Sequence, residues 1–280
     1  MARRLMTIGV GVMIGIFIAL GLGSDAGAAS LVLYDNFTAP EINPDKWIGV
    51  DSFNSGPNPK TEAKRFIERG KLHIVLTTYG DTTSDSGTRS GDLGLGFPNP
   101  AAITAMEARV TVKQASFQDC AGNTSTSRAW AQLRGAFFND GTSPEAGNRI
   151  GDIFTSFQKQ ANQNGNNITA DIRRCNDLGC NNSTTLTSFI FTTTWTPGQA
   201  HVLRLEWDPA GNGFRFTVNP GKPTEETTLL TYITPDTLPP VSNFKNMKVR
   251  NLPANCTSGR KKVMMDALFD NVKLNPDAVP

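Results

Sequence analysis

The chain has 280 residues and a formal net charge of +2. A balance this close to neutral excludes the broad electrostatic attraction of nucleic-acid and acidic-lipid binders, so neither is expected as a partner. The four cysteines are not spaced as a zinc site or a redox Cys-x-x-Cys motif, and with only His73 and His201 a histidine-rich metal cluster is excluded.

The N-terminus reads as an export signal. Arg3 and Arg4 precede an uncharged, mostly apolar run from Leu5 to Gly23, and small residues follow to Ser30. That order of basic, apolar and small segments marks a signal peptide over residues 1–29, cleaved after Ala28 or Ala29. The alternative is an uncleaved anchor, since about 20 apolar residues can span a bilayer. Residues 30–280 then form one secreted, periplasmic or cell-surface domain: no linker divides them, and all-β sandwiches of this size are often single. After export, disulfides are the default for Cys120, Cys175, Cys180 and Cys256. Three pairings exist on paper. Cys175 and Cys180 close easily as a tight loop, which leaves Cys120 for Cys256.

In chain order, residues 31–37 predict a short strand, and residues 43–47 a turn that places an aromatic. Residues 65–76 read as a hairpin turning at Arg69-Gly70, and the polar run 81–91 as a loop. Residues 104–114 alternate, with Met106, Ala108, Val110 and Val112 on one face. Residues 127–139 read as a long strand on which Arg128, Trp130, Gln132 and Arg134 share a face.

Residues 149–158 have a strand's composition and carry the functional question. One face holds Ile150, Asp152, Phe154, Ser156 and Gln158; the other holds Gly151, Ile153, Thr155 and Phe157. The second face is the more uniformly apolar and is expected to pack on a core. A turn at 162–167, strands at 168–174 and 184–195, and a hairpin of 201–208 with 213–219 follow. Residues 245–251 and 264–274 supply the last strands. A helical period of any length is missing from the mature chain, and strands recurring between Gly, Pro and Asn signal an all-β sandwich.

Three groups of residues together resemble the concanavalin A-like lectin/glucanase superfamily. The first is Tyr34-Asp35-Asn36-Phe37 with Asp45-Lys46-Trp47 and Gly70-Lys71-Leu72-His73-Ile74. The second is Leu203-Arg204-Leu205-Glu206-Trp207-Asp208 with Phe214-Arg215-Phe216-Thr217-Val218-Asn219, which looks like a hairpin of laminarinase-type hydrolases. The third is Ala267-Leu268-Phe269-Asp270-Asn271-Val272-Lys273-Leu274, similar to the closing strand of these folds. The resemblance implies a jelly roll of two antiparallel sheets spanning nearly the whole mature chain.

It also implies a chemistry to look for. Retaining hydrolases of this superfamily carry two glutamates around an aspartate on one strand, so that both carboxyls flank one glycosidic bond. Here the matching register is Ile150-x-Asp152-x-Phe154, and no glutamate occurs between Glu145 and Glu206. The pattern therefore keeps only its middle acid. Asp152 is read either as a polar groove contact or as a structural partner of Arg128 or Arg134. Arg128, Trp130 and Arg134 form the best ligand-binding group, because aromatic rings stack on sugars and guanidiniums bridge hydroxyls or carboxylates. Their alternative is a core tryptophan flanked by surface charges. Glu206 is expected to face the groove and Trp207 the core. The resemblance further implies a structural Ca²⁺ held by Asp270 with backbone oxygens near Asp35 and Gly70, a hard-oxygen set suited to that ion. A lyase using Arg, His and Tyr lacks its clustered His and Tyr.

The expected function is thus lectin-like binding of a glycan or polysaccharide. A glycoside hydrolase with an atypical acid pair, drawn from Asp152, Glu206 or Asp266, is the second reading. A structural cell-surface protein is the third.

Overall fold

The computed structural model describes residues 30–53, 60–123 and 127–279. The expected export segment, residues 1–29, lies outside them. Numbered in chain order, the early strands are β1 (Val32–Asp35), β2 (Ile48–Phe53), β3 (Thr61–Glu68), β4 (Lys71–Tyr79) and β5 (Gly91–Gly96). The long central strands are β6 (Ala105–Phe117), β7 (Arg128–Asn139), β8 (Asp152–Asn162), β9 (Gly165–Cys175) and β10 (Ser183–Thr194). The last five are β11 (Ala200–Asp208), β12 (Gly213–Val218), β13 (Glu226–Thr231), β14 (Lys245–Leu252) and β15 (Lys262–Leu274). Single 3₁₀ turns lie at Pro100–Ala102 and Pro276–Ala278.

These strands make two antiparallel sheets. The eight-stranded one runs β13-β12-β11-β6-β15-β4-β3, with β1 also paired to β15; the seven-stranded one runs β10-β9-β8-β7-β14-β5-β2. Alternation fills the space between them. Met106, Ala108, Val110 and Val112 of β6 point inward, as do Leu203 and Leu205 of β11, to meet Ile153 and Phe157 of β8 and Met247 and Val249 of β14 in one core. The 43–47 turn works as expected. Trp47 stacks on Phe37, meets Tyr34 edge-on, and is tethered by its Nε1–H to Asp35 Oδ2 at 2.7 Å.

The 149–158 stretch needs one correction. Its first three residues are a turn, closed by Asp152 N–H donating to Arg149 O at 3.0 Å, and the strand begins at Asp152 and runs on to Asn162. Gly151 sets the start: its φ is +87°, and a Cβ there would stand 2.3 Å from Asp140 Oδ1. The two-face division holds from Ile153 onward, with Ile153 and Phe157 in the core.

Three strands, β2, β5 and β13, have no counterpart in the sequence reading. β5 is Gly-Asp-Leu-Gly-Leu-Gly, which reads as a loop, yet every residue of it is buried. A Cβ on Gly94 would stand 2.3 Å from Met247 O and 2.5 Å from Lys248 Cβ, so glycine there is a condition of pairing with β14.

Candidate functional site

The outer face of the seven-stranded sheet carries a groove of about 500 Å³. Strand register builds its floor in rows. One row runs Asp171, Ser156, Arg134, Asn246; the next runs Thr169, Gln158, Gln132, Lys248; a third runs Asn167, Gln160, Trp130, Arg250. Side chains along a row touch. Trp130 Nε1 donates to Gln160 Oε1 at 2.9 Å, Gln132 Nε2 to Gln158 Oε1 at 3.3 Å, and Gln158 Nε2 to Thr169 Oγ1 at 3.1 Å. Cys180, Asn181, Asn182 and Ser183, from the β9–β10 connection, line the groove as well.

The cations are held by rings more than by acids. Arg134 lies 4.3 Å from the Phe154 ring centre and 5.3 Å from that of Phe244, and Arg128 lies 5.2 Å over Trp130. Burial, then the neighbouring Arg250, pulls the Arg134 guanidinium down to about 10. Burial likewise pushes the Asp171 carboxyl up to about 6, against the opposing pull of Arg173, Arg134 and Arg250. The buried Lys248 ammonium, brought down to about 7 by desolvation, pairs with Asp92 at 2.8 Å beside the floor.

Of the residues singled out by sequence, Arg128, Trp130 and Arg134 all line this groove. Trp130 is on the side opposite the core, which its neighbours Ala129, Ala131 and Leu133 enter. Trp207, by contrast, packs against the core as expected.

Asp152 does not line the groove. It sits on that side of β8 but is fully buried, accepting from Asn139 Nδ2 at 2.9 Å, Val241 N at 2.8 Å and Ser242 N at 3.1 Å. Its cation is Arg149 at 3.7 Å, which corrects the expected pairing with Arg128 or Arg134. Glu206 is on β11, in the other sheet, so it does not face the groove. Asp266 is on β15 of that sheet, 4.0 Å from His73 and 3.8 Å from Lys113. The three acids of the hydrolase reading therefore stand apart. His73 and His201 also belong to the eight-stranded sheet, on β4 and β11.

Sequence reasoning missed Asp171, Arg173 and Arg250. The alternation of β9 and β14 could have placed Arg173 and Arg250 on one face, but which strands adjoin β7 and β8 is a matter of topology.

Both disulfides pair as expected, Cys120 with Cys256 and Cys175 with Cys180. Asp85 lies 3.4 Å from Cys120 Sγ, but the bonded sulfurs are not thiolate ligands, and Asp85 is spent on Thr257. Where the resemblance implies Ca²⁺, the three segments are brought near one another by the pairing of β15 with β1 and β4. Asp35 opposes Val272 across β1 and β15, and Phe37 O lies 4.0 Å from where a Cβ on Gly70 would stand. The Asp35 carboxylate accepts from Phe37 N and Trp47 Nε1. Among the described residues, the Asp270 carboxylate accepts from Asn271, its neighbour in the chain, and each oxygen keeps a further lone pair for a hard cation.

No protein-family model matches the chain, and no curated protein sequence does. Among solved structures, it is similar to a β-1,3-glucanase from Mycobacterium marinum at 13% identity, with 88% of this chain and 99% of that one covered and a TM-score of 0.41. A winged bean acidic lectin complexed with methyl-α-D-galactose matches at 10% identity over 88% of this chain and 99% of the other, TM-score 0.38. An endo-β-galactosidase from Clostridium perfringens matches at 12% identity and TM-score 0.47 over 89% of this chain, which spans 64% of that longer protein. In architecture, the described residues form a sandwich of two antiparallel sheets.

Proposed function

We propose that this is an exported glycan-binding protein whose ligand lies along the groove of the seven-stranded sheet. The observation that carries the reading is the composition of that groove. Trp130 sits among Gln132, Gln158, Gln160, Asn181 and Ser156. A sugar ring offers an apolar face and a rim of hydroxyls. An indole suits the first, and amides, which donate and accept at once, suit the second. Export is supported by the two disulfides, and no helix among the described residues is long and apolar enough to cross a membrane.

Binding is favoured over hydrolysis by the acids. Cleavage of a glycosidic bond by the usual route takes two carboxyls across it, whereas one carboxylate, Asp171, is among the groove-lining residues. On a glycan array the protein is expected to give saturable binding that Trp130→Ala weakens at least about tenfold. A blank array would favour a structural role at the cell surface, and release of reducing ends from a β-glucan would restore the hydrolase reading. The corner formed by Asp270, Gly70 and the Asp35–Phe37 segment is proposed as a structural Ca²⁺ site.

A further inference from the structure

We infer that the groove is built for an anionic glycan, one whose sugar rings carry carboxylate or sulfate groups. The inference rests on the glycan-binding reading and narrows its ligand class. Four guanidinium groups, from Arg128, Arg134, Arg173 and Arg250, line the groove against the single carboxylate of Asp171. They come from three strands, β7, β9 and β14, which register draws together.

Their mutual placement is unfavourable without an anion. Arg250 disfavours the charge on Arg134, and Arg173 and Arg250 disfavour that on Arg128. Among the described residues, the buried Nε atoms of Arg134, Arg173 and Arg250 have no hydrogen-bond acceptor, and Asp171 Oδ1 has no donor. Arg250 approaches Asp92 only to 3.9 Å, and Asp92 is already taken by Lys248. Buried donors in this number are costly to leave unmade. A carboxylate or sulfate in the groove brings negative charge to the cluster and several acceptor oxygens, in a plane or tripod, for the outer ends of the guanidiniums.

The rest of the groove says what carries the anion. A neutral sugar would leave the arginines uncompensated. Inorganic anions would not use the row of Gln132, Gln158 and Gln160 or the indole of Trp130. A nucleic acid is disfavoured by the near-neutral chain, whose net charge is +2, and by a single tryptophan where successive bases would need several stacking rings. An acidic polysaccharide uses all three features.

The test uses the mature full chain in titration calorimetry against matched polymers. Polygalacturonate and its fully methyl-esterified form differ at the C6 carboxyl, charged in one and capped by a methyl group in the other; dextran sulfate against dextran separates sulfate from carboxylate. The expected result is binding to at least one charged member, falling about tenfold or more for its neutral counterpart and weakening steeply between 50 mM and 500 mM NaCl. Arg173→Gln and Arg250→Gln are each expected to weaken it about tenfold, with Arg→Lys at the same position recovering part of the loss. A melting curve for each variant separates lost binding from lost folding. Equal binding of charged and neutral partners, or binding of neutral glycans alone, overturns the anionic inference and leaves the glycan reading standing. Absence of binding to every glycan overturns both, and tighter binding of a single-stranded RNA than of any polymer overturns this inference in favour of a nucleic-acid site.

Discussion

Asp152 stands on the groove side of β8, yet Val241 and Ser242 close over it and donate their amides to its carboxylate. A carboxylate so held is part of the scaffold. Asp152→Ala leaves those two amides without their acceptor and removes one of the two acceptors of Asn139 Nδ2, and is expected to cost about 3 kcal/mol in urea unfolding. Glycan affinity of the fraction that folds should stay as it was. Asp171 behaves in the opposite way. Its carboxyl, raised to about 6 by burial, faces Ser156 on β8, Arg134 on β7, Arg250 on β14 and Arg173 on its own strand. Below pH 6 it is neutral and the four cations are unopposed; above pH 6 its charge competes with an anionic ligand. Affinity for an acidic glycan should therefore rise by up to about tenfold as pH falls from 7.5 to 5, one unit of pKa shift being a factor of ten. Asp171→Asn should reduce that dependence in calorimetry at each pH, leaving the part contributed by Lys248, which burial brings down to about 7 and which gains its proton over the same range.

At the scale of elements, the two disulfides differ in what they hold. Cys120–Cys256 joins residues 136 apart and ties the end of β6 to the β14–β15 connection, whereas Cys175–Cys180 spans only 5. By loop-closure entropy the first contributes about 5 kcal/mol and the second about 2 kcal/mol. Replacing Cys120 and Cys256 by serine should thus lower the melting temperature more than replacing Cys175 and Cys180. The smaller pair should instead report in binding, because Cys180 and its neighbours Asn181 and Asn182 line the groove. The strands read correctly from sequence, β4, β6, β7, β11 and β12 among them, are those where one face meets the core and alternation is visible. β5 was illegible because its central glycine, Gly94, answers to Met247 and Lys248, residues more than 150 positions away. β13 carries Glu226, three threonines and two leucines at the edge of its sheet, where pairing needs no apolar face.

At the scale of the whole molecule, the first and last strands of the described residues meet: β1 pairs with β15, and β15 lies between β6 and β4 in the eight-stranded sheet. That closure gathers Asp270, Gly70 and the Phe37 carbonyl. An ion bound there stabilises the folded state alone, so millimolar CaCl₂ should raise the melting temperature, with Mg²⁺ raising it less and Asp270→Asn removing the effect. No change on adding or chelating calcium would dismiss the site.

By itself the sequence determined the sandwich, because period-two alternation between Gly, Pro and Asn turns is a local property that needs no partner to be seen. It also pointed to the disulfide partners and determined one face of the groove, Arg128, Trp130 and Arg134, since residues two apart on a strand must share a side. What it could not determine is which strands lie next to one another. Pairing of β7 with β8 and β14, and of β8 with β9, brings Arg173, Arg250 and Asp171 beside that face and leaves Glu206 and Asp266 on the other sheet. Charge in the groove is a sum over neighbours, and only the tertiary structure chooses the neighbours.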